Sequence, residues 1–154
     1  MTFLVDKTLG KLATWLRILG YDTASGQSTD LEGIVSQARD EARTLLTKNT
    51  KLYKKSEGLP VLFLEANDPF RQLREVVHYF RLTIKDDLLF SRCLLCNTLL
   101  EQIDPQEAHG KVPDYIYHNH REFSRCPSCR KVYWQGTHYG HMRKMVERLE
   151  EAAS

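Results

Sequence analysis

All four cysteines of this chain fall in two CxxC pairs, Cys93-Leu94-Leu95-Cys96 and Cys126-Pro127-Ser128-Cys129, with 29 residues between them. Two residues between thiolates let a tight turn aim both sulfurs at one Zn²⁺, and a second such knuckle completes a closed tetrahedral site. Four thiolates leave no position open for a substrate, so Cys93, Cys96, Cys126 and Cys129 are read as ligands of a structural zinc. The alternatives are a redox dithiol or two disulfides, and nothing in the sequence points to the oxidising compartment they need. The residue after each knuckle is expected in the left-handed region, which Asn97 adopts readily and Arg130 less so. The long spacer predicts an insertion over residues 105–119 between the strands of a ribbon. His118, His120, His138 and His141 are read as hydrogen-bonding groups, since four thiolates already saturate a zinc ion.

A segment of about 50 residues cannot bury enough surface to fold alone, and a structural zinc contributes roughly 10 kcal/mol or more toward doing so. The full 154 residues suit one main domain with a smaller appendage, divided here as 1–87 and 88–154. A composition 42% hydrophobic and 27% charged excludes a wholly disordered chain. There are 13 basic against 12 acidic residues before Ser91 and 9 against 8 from it onward, so neither part is a polybasic arm. Any nucleic acid must therefore find a patch made by folding. The longest apolar stretch, Leu59 to Leu64, is far short of a membrane span, and the opening MTFLVDKTLGK lacks the pattern of a secretory signal. The expectation is a soluble, cytoplasmic protein.

Within the first part, short apolar runs alternate with helical periodicity. Thr2 to Val5 reads as a strand, and Leu9, Leu12, Ala13, Leu16 and Leu19 form a helix stopped by Gly20. Tyr21 to Ala24 is a second strand. Thr29 with Glu32 predicts a capping box, followed by the stripe Leu31, Ile34, Val35 and Ala38. Thr44 to Thr47 is a buried strand, Asn49 to Ser56 a short basic helix and Val61 to Leu64 a fourth strand. Asp68 and Pro69 then open a helix that buries Phe70, Leu73, Val76, Val77 and Phe80. This alternation predicts an α/β fold, a parallel sheet with flanking helices. Beyond Leu88 come short strands, the two knuckles and a terminal helix from about His138, with Met142, Met145, Val146 and Leu149 on its apolar side.

In a parallel sheet, ligands gather beyond the carboxyl ends of the strands. Asp6 follows the first strand, Asp30 opens the helix after the second, Asn49 follows the third, and Glu65 and Asp68 follow the fourth. Acids on one rim repel unless a cation sits among them, and Mg²⁺ there activates water for phosphodiester attack. Taken singly, Asp30 and Asp68 also suit plain helix caps. Lys48, Lys51, Lys54 and Lys55 lie near the rim, the last three on one helical face. Tyr115, Tyr117, Tyr133 and Trp134, with Arg125, Arg130 and Lys131, mix stacking surfaces with cations; Tyr133 and Trp134 equally suit the ribbon's small core.

The segments FLVDKTLGKLATWLRILGYDT, RTLLTKN, CLLC, CPSC and VYWQGTH, in that order and over nearly the whole chain, resemble the mut-seven C-terminal RNase-like family. The resemblance implies a PIN-like fold fused to a four-cysteine zinc ribbon, acting on RNA as a ribonuclease dependent on Mg²⁺ or Mn²⁺. It assigns the metal to Asp6 and Asp30. From the rim itself come Asp68 and, as a neutral ligand at most, Asn49. Many relatives carry DE at the first strand and TRD after the third, where this chain has Asp6-Lys7 and Thr47-Lys48-Asn49. A cation at Lys7 and an amide at Asn49 are expected to weaken metal binding and to favour RNA contact by a basic rim of Lys7, Lys48, Lys51, Lys54 and Lys55, with Arg130, Lys131 and Trp134 on the ribbon. The alternative is a non-catalytic RNA-binding or protein-interaction module that keeps the fold. A protein partner or a second copy of the chain stays open.

Overall fold

The computed structural model describes residues 1–153 and divides into two compact units, Met1–Phe90 and Ser91–Ser154. The first unit runs β1 (Thr2–Val5), a 3-10 turn (Lys7–Leu9), α1 (Gly10–Ile18), β2 (Asp22–Ser25), α2 (Leu31–Asp40), β3 (Thr44–Thr47), α3 (Thr50–Lys55), β4 (Val61–Phe63) and α4 (Pro69–Phe80). Its four strands are all parallel, in the order β2-β1-β3-β4. The predicted α/β fold with flanking helices is what the chain adopts.

Strand alternation explains why β1 and β3 are buried almost throughout. Side chains point to opposite faces with a period of two, and here helices cover both faces. Leu4 and Leu45 face Ile34, Val35 and Ala38 of α2 and Leu52 of α3. Phe3 points the other way, edge-on to the rings of Tyr21 and of Phe80 on α4. Trp15 of α1 meets Phe70 of α4 on that same side. Gly20 ends α1 with φ of 94°, and a Cβ there would lie 2.6 Å from the Leu88 carbonyl oxygen, so the turn requires glycine.

One local expectation fails. No capping box forms at Thr29 and Glu32; the N-cap is Asp30, whose side chain makes no capping bond. Ser28 Oγ accepts the Asp30 N–H instead, at 3.0 Å, which places the helix start one residue later.

The second unit holds the antiparallel sheet β5 (Glu101–Ile103), β6 (Phe123–Arg125) and β7 (Val132–Tyr133), with Ile103 opposite Phe123 and Arg125 opposite Val132. Between β5 and β6 sit a 3-10 turn (Pro105–Ala108) and α5 (Asp114–Asn119), the insertion expected from the spacer length. They give the small sheet a core: Ile103, Ala108, Val112, Ile116, Phe123 and Val132, with Tyr117 and Trp134 packed against it. The terminal helix α6 (Thr137–Ala153) buries Val146 and Leu149. Among the described residues no helix is long and apolar enough to cross a membrane.

Candidate functional site

The two cysteine knuckles are built alike, hydrogen bond for hydrogen bond. The Cys93 carbonyl accepts from Asn97 N–H and the Cys126 carbonyl from Arg130 N–H, both at 2.9 Å. The Cys96 N–H points at Cys93 Sγ and the Cys129 N–H at Cys126 Sγ, both at 3.4 Å. Asn97 and Arg130 take the expected left-handed turn, with φ of 67° and 69°. Arg130 therefore accepts strain that Asn97 does not, because the knuckle dictates the backbone there. A hydroxyl pair, Thr98 Oγ1 and Ser128 Oγ at 3.1 Å, ties one knuckle to the other.

All four Sγ atoms lie within 4.8 Å of one another. The Cys93 to Cys129 sulfur separation is 3.7 Å, too long for a disulfide near 2.05 Å. It matches the roughly 3.8 Å edge of a tetrahedron with Zn–S of about 2.3 Å. The donor set thus fits a structural zinc. Burial opposes it, yet N–H bonds from Cys129 and Ser128 bring the Cys126 thiol down to about 6. Its hydrogen bond with Cys129, together with desolvation and the Cys93 charge, pushes Cys96 up to about 12. Neighbouring thiolates resist ionising together without a cation among them.

Sequence reasoning gave Tyr133 a core or stacking role and missed its partner. Its Oη lies 3.2 Å from Cys93 Sγ and accepts the Leu94 N–H at 3.1 Å. The Leu94 N–H takes one lone pair of that oxygen, and the hydroxyl shares a hydrogen bond with the Cys93 sulfur. Burial and the Cys93 hydrogen bond both raise the phenol's pKa, so it stays protonated.

The second candidate lies in the first unit, where the strand order reverses between β1 and β3. The crevice beyond such a switch point is where open parallel sheets bind ligands. Asp6, directly after β1, is 9% exposed. Its Oδ1 accepts from Thr8 N–H at 2.9 Å and from the Thr8 hydroxyl, and its Oδ2 from Thr47 Oγ1 at 3.3 Å. Thr47 also accepts the Asn49 N–H at 2.9 Å, which leaves its one proton for Asp6. Every donor to this carboxylate is neutral. Thr8 and Thr47 went unassigned in the sequence; the only signal was their hydroxyls two residues from Asp6 and from Asn49.

The remaining rim residues divide by what their oxygens do. Asn49 Oδ1 accepts from Lys51 and Leu52 N–H at 2.9 and 3.1 Å and so caps α3. Asp68 Oδ2 accepts from Arg71 N–H at 3.0 Å and caps α4. Asp30 is exposed and caps nothing. The Glu65 and Ala66 N–H groups are held by Glu75, at 3.1 and 2.7 Å. Among the described residues, the cysteines alone bring three or more metal-ligating groups together.

The predicted cations are likewise mixed. Lys7, Lys51 and Lys54 are exposed. Lys48 Nζ donates to the Glu65 carbonyl at 3.1 Å, and Lys55 Nζ lies 3.6 Å from Glu32. On the ribbon, Lys131 sits over the Tyr133 ring, 5.2 Å from its centroid. Arg130 is exposed, Trp134 is half-buried against the ribbon core, and Arg125 pairs with Glu101 and Glu107 at 3.4 and 3.6 Å.

A parallel α/β sheet with an acid at its switch point is followed in the chain by a four-thiolate ribbon. Residues 1–146 match the family described as Mut7-C RNAse domain, and the chain belongs to that family. No curated protein and no solved structure matches it.

Proposed function

We propose that the chain is a ribonuclease dependent on a divalent cation, Mg²⁺ or Mn²⁺, with Asp6 as the fixed carboxylate of a thinned acidic centre. The Asp6 carboxylate itself carries this reading. It is buried, oriented on both oxygens and, among the described residues, paired with no cation. An anion withdrawn from water without a countercharge is costly unless one arrives from outside. Mg²⁺ keeps several waters and binds through one or two carboxylates plus substrate phosphates, so Asp6, with Asp30 as the family resemblance implies, would hold it. Bound there, such an ion supplies an activated water and polarises the phosphodiester. The protein's own work is positioning: Thr8 and Thr47 hold Asp6 at the crevice, while the exposed Lys7, Lys51 and Lys54 attract the RNA backbone. Asn49 and Asp68 serve as caps on this reading, with Asp68 Oδ1 left for outer contacts. Four cysteines gathered at one metal site and not in disulfides suit a reducing, cytoplasmic setting.

A second reading, an RNA-binding or protein-interaction module without turnover, is favoured by one observation: the Asn49 oxygen where many relatives place an acid is engaged by α3. Single-stranded RNA cleavage in Mn²⁺ decides between them. Cleavage that disappears in Asp6→Asn and rises in Asn49→Asp, with calorimetric Mn²⁺ affinity rising alongside, supports the nuclease. RNA binding without cleavage in any of the three proteins establishes the module.

A further inference from the structure

The Lys face of α3 absorbed the sequence argument, but α4 carries a longer line of cations. Arg71, Arg74, His78 and Arg81, the last at the C-cap, are all exposed. At 100° per residue Arg71, Arg74 and His78 fall within an arc of about 60°, turned away from the buried Leu73, Val76 and Val77, and Arg81 follows at the left-handed C-cap. The one acid within α4, Glu75, has both oxygens turned to the backbone of Glu65 and Ala66. Among the described residues neither the three arginines nor His78 is in an ion pair, in contrast to Lys55 beside Glu32.

We propose that the outer face of α4 is a docking track for the backbone of single-stranded RNA, an inference that rests on the RNA-directed function above. The first unit has nearly balanced charge, so three arginines along one helix, with the single acid Glu75 turned to backbone N–H groups, make a local field that net charge conceals. From Arg71 to Arg81 the helix rises about 15 Å, the length of roughly four phosphates on a stacked strand spaced about 3.4 Å apart. Guanidinium forks pair with phosphate oxygens bidentately. An acidic protein partner would need an apolar centre for its interface, and the only large apolar group exposed on α4 is Tyr79, at 63%.

The test is fluorescence anisotropy of a labelled 12-nucleotide oligouridine with the full chain, in divalent-free buffer between 50 and 200 mM KCl. Arg71→Gln/Arg74→Gln is expected to bind at least about fivefold more weakly at the low salt, with the slope of log K against log salt shallower by about 1.4 for two lost phosphates. Arg71→Lys/Arg74→Lys, which keeps the charge, retains the wild-type slope. Equal affinity and slope in wild type and the Gln variant overturn the α4 track and leave RNA binding intact. No binding by wild type overturns both the track and the RNA-directed function. Binding of polyglutamate in place of RNA overturns the track in favour of an acidic protein partner.

Discussion

Replacing Thr47 by Val keeps the side-chain shape and removes one oxygen that makes two bonds. The Asn49 N–H loses its acceptor at 2.9 Å, and Asp6 Oδ2 loses its only donor at 3.3 Å. A neutral bond of this kind contributes about 1 kcal/mol, and one to a charged group about 1.5 to 3. The Asp6 bond is long, which puts it at the lower end. Thr47 is fully buried, so the added methyl returns about 0.8 kcal/mol. The net cost is about 2 kcal/mol, read as a lower urea midpoint at unchanged slope by circular dichroism. Thr47→Ser keeps both bonds and gives up only a methyl group, costing about 1 kcal/mol. A double-mutant cycle with Asp6→Asn isolates the pair and should return a coupling of about 1 kcal/mol. Thr47→Val as stable as Thr47→Ser, with no coupling to Asp6, would refute the claim that this hydroxyl orients the carboxylate.

Two further expectations concern the ribbon. One zinc per chain should survive desalting, measured by elemental analysis, and Cys93→Ser should lose it along with the cooperative melting of the second unit; a metal-free protein with a normal melt contradicts the structural role. Tyr133→Phe removes the hydroxyl bonded to Cys93 Sγ and leaves the Leu94 N–H without that acceptor. Outer partners of this kind are worth about 10- to 100-fold in metal affinity. Zinc transfer to a chromogenic chelator should be at least about tenfold faster, and an unchanged rate removes Tyr133 from the metal's support.

The parts legible in the sequence were those set by local or periodic rules. Two CxxC pairs that share one metal each close a knuckle turn, so even the left-handed conformation at Asn97 and Arg130 is expected from the sequence. Leu4 and Leu45 against Phe3 obey strand alternation, and Ile34, Val35 and Ala38 obey helical spacing. The capping box failed because Thr29 and Glu32 satisfy a spacing rule that many polar pairs meet by chance. The helix starts one residue later, with Asp30 at the N-cap and its N–H on Ser28 Oγ.

The contacts that organise the rim were illegible for a different reason. Asp6 and Thr47 are 41 residues apart and meet only because β1 and β3 are neighbours in the sheet, an arrangement that no window of sequence encodes. What Asn49 does is settled locally, by bonds to residues two and three positions away. A residue after a strand and before a helix can face the crevice or turn back to cap the helix, and both roles call for a side-chain oxygen. The Asn49 N–H lies on Thr47 Oγ1 while its Oδ1 reaches forward to Lys51 and Leu52, so the choice has gone to the cap. An aspartate at this position would make the same cap with one oxygen and keep a charged second oxygen to share. Asparagine has no second acceptor, so an Asn49→Asp substitution tests the acidity of the rim without unmaking α3.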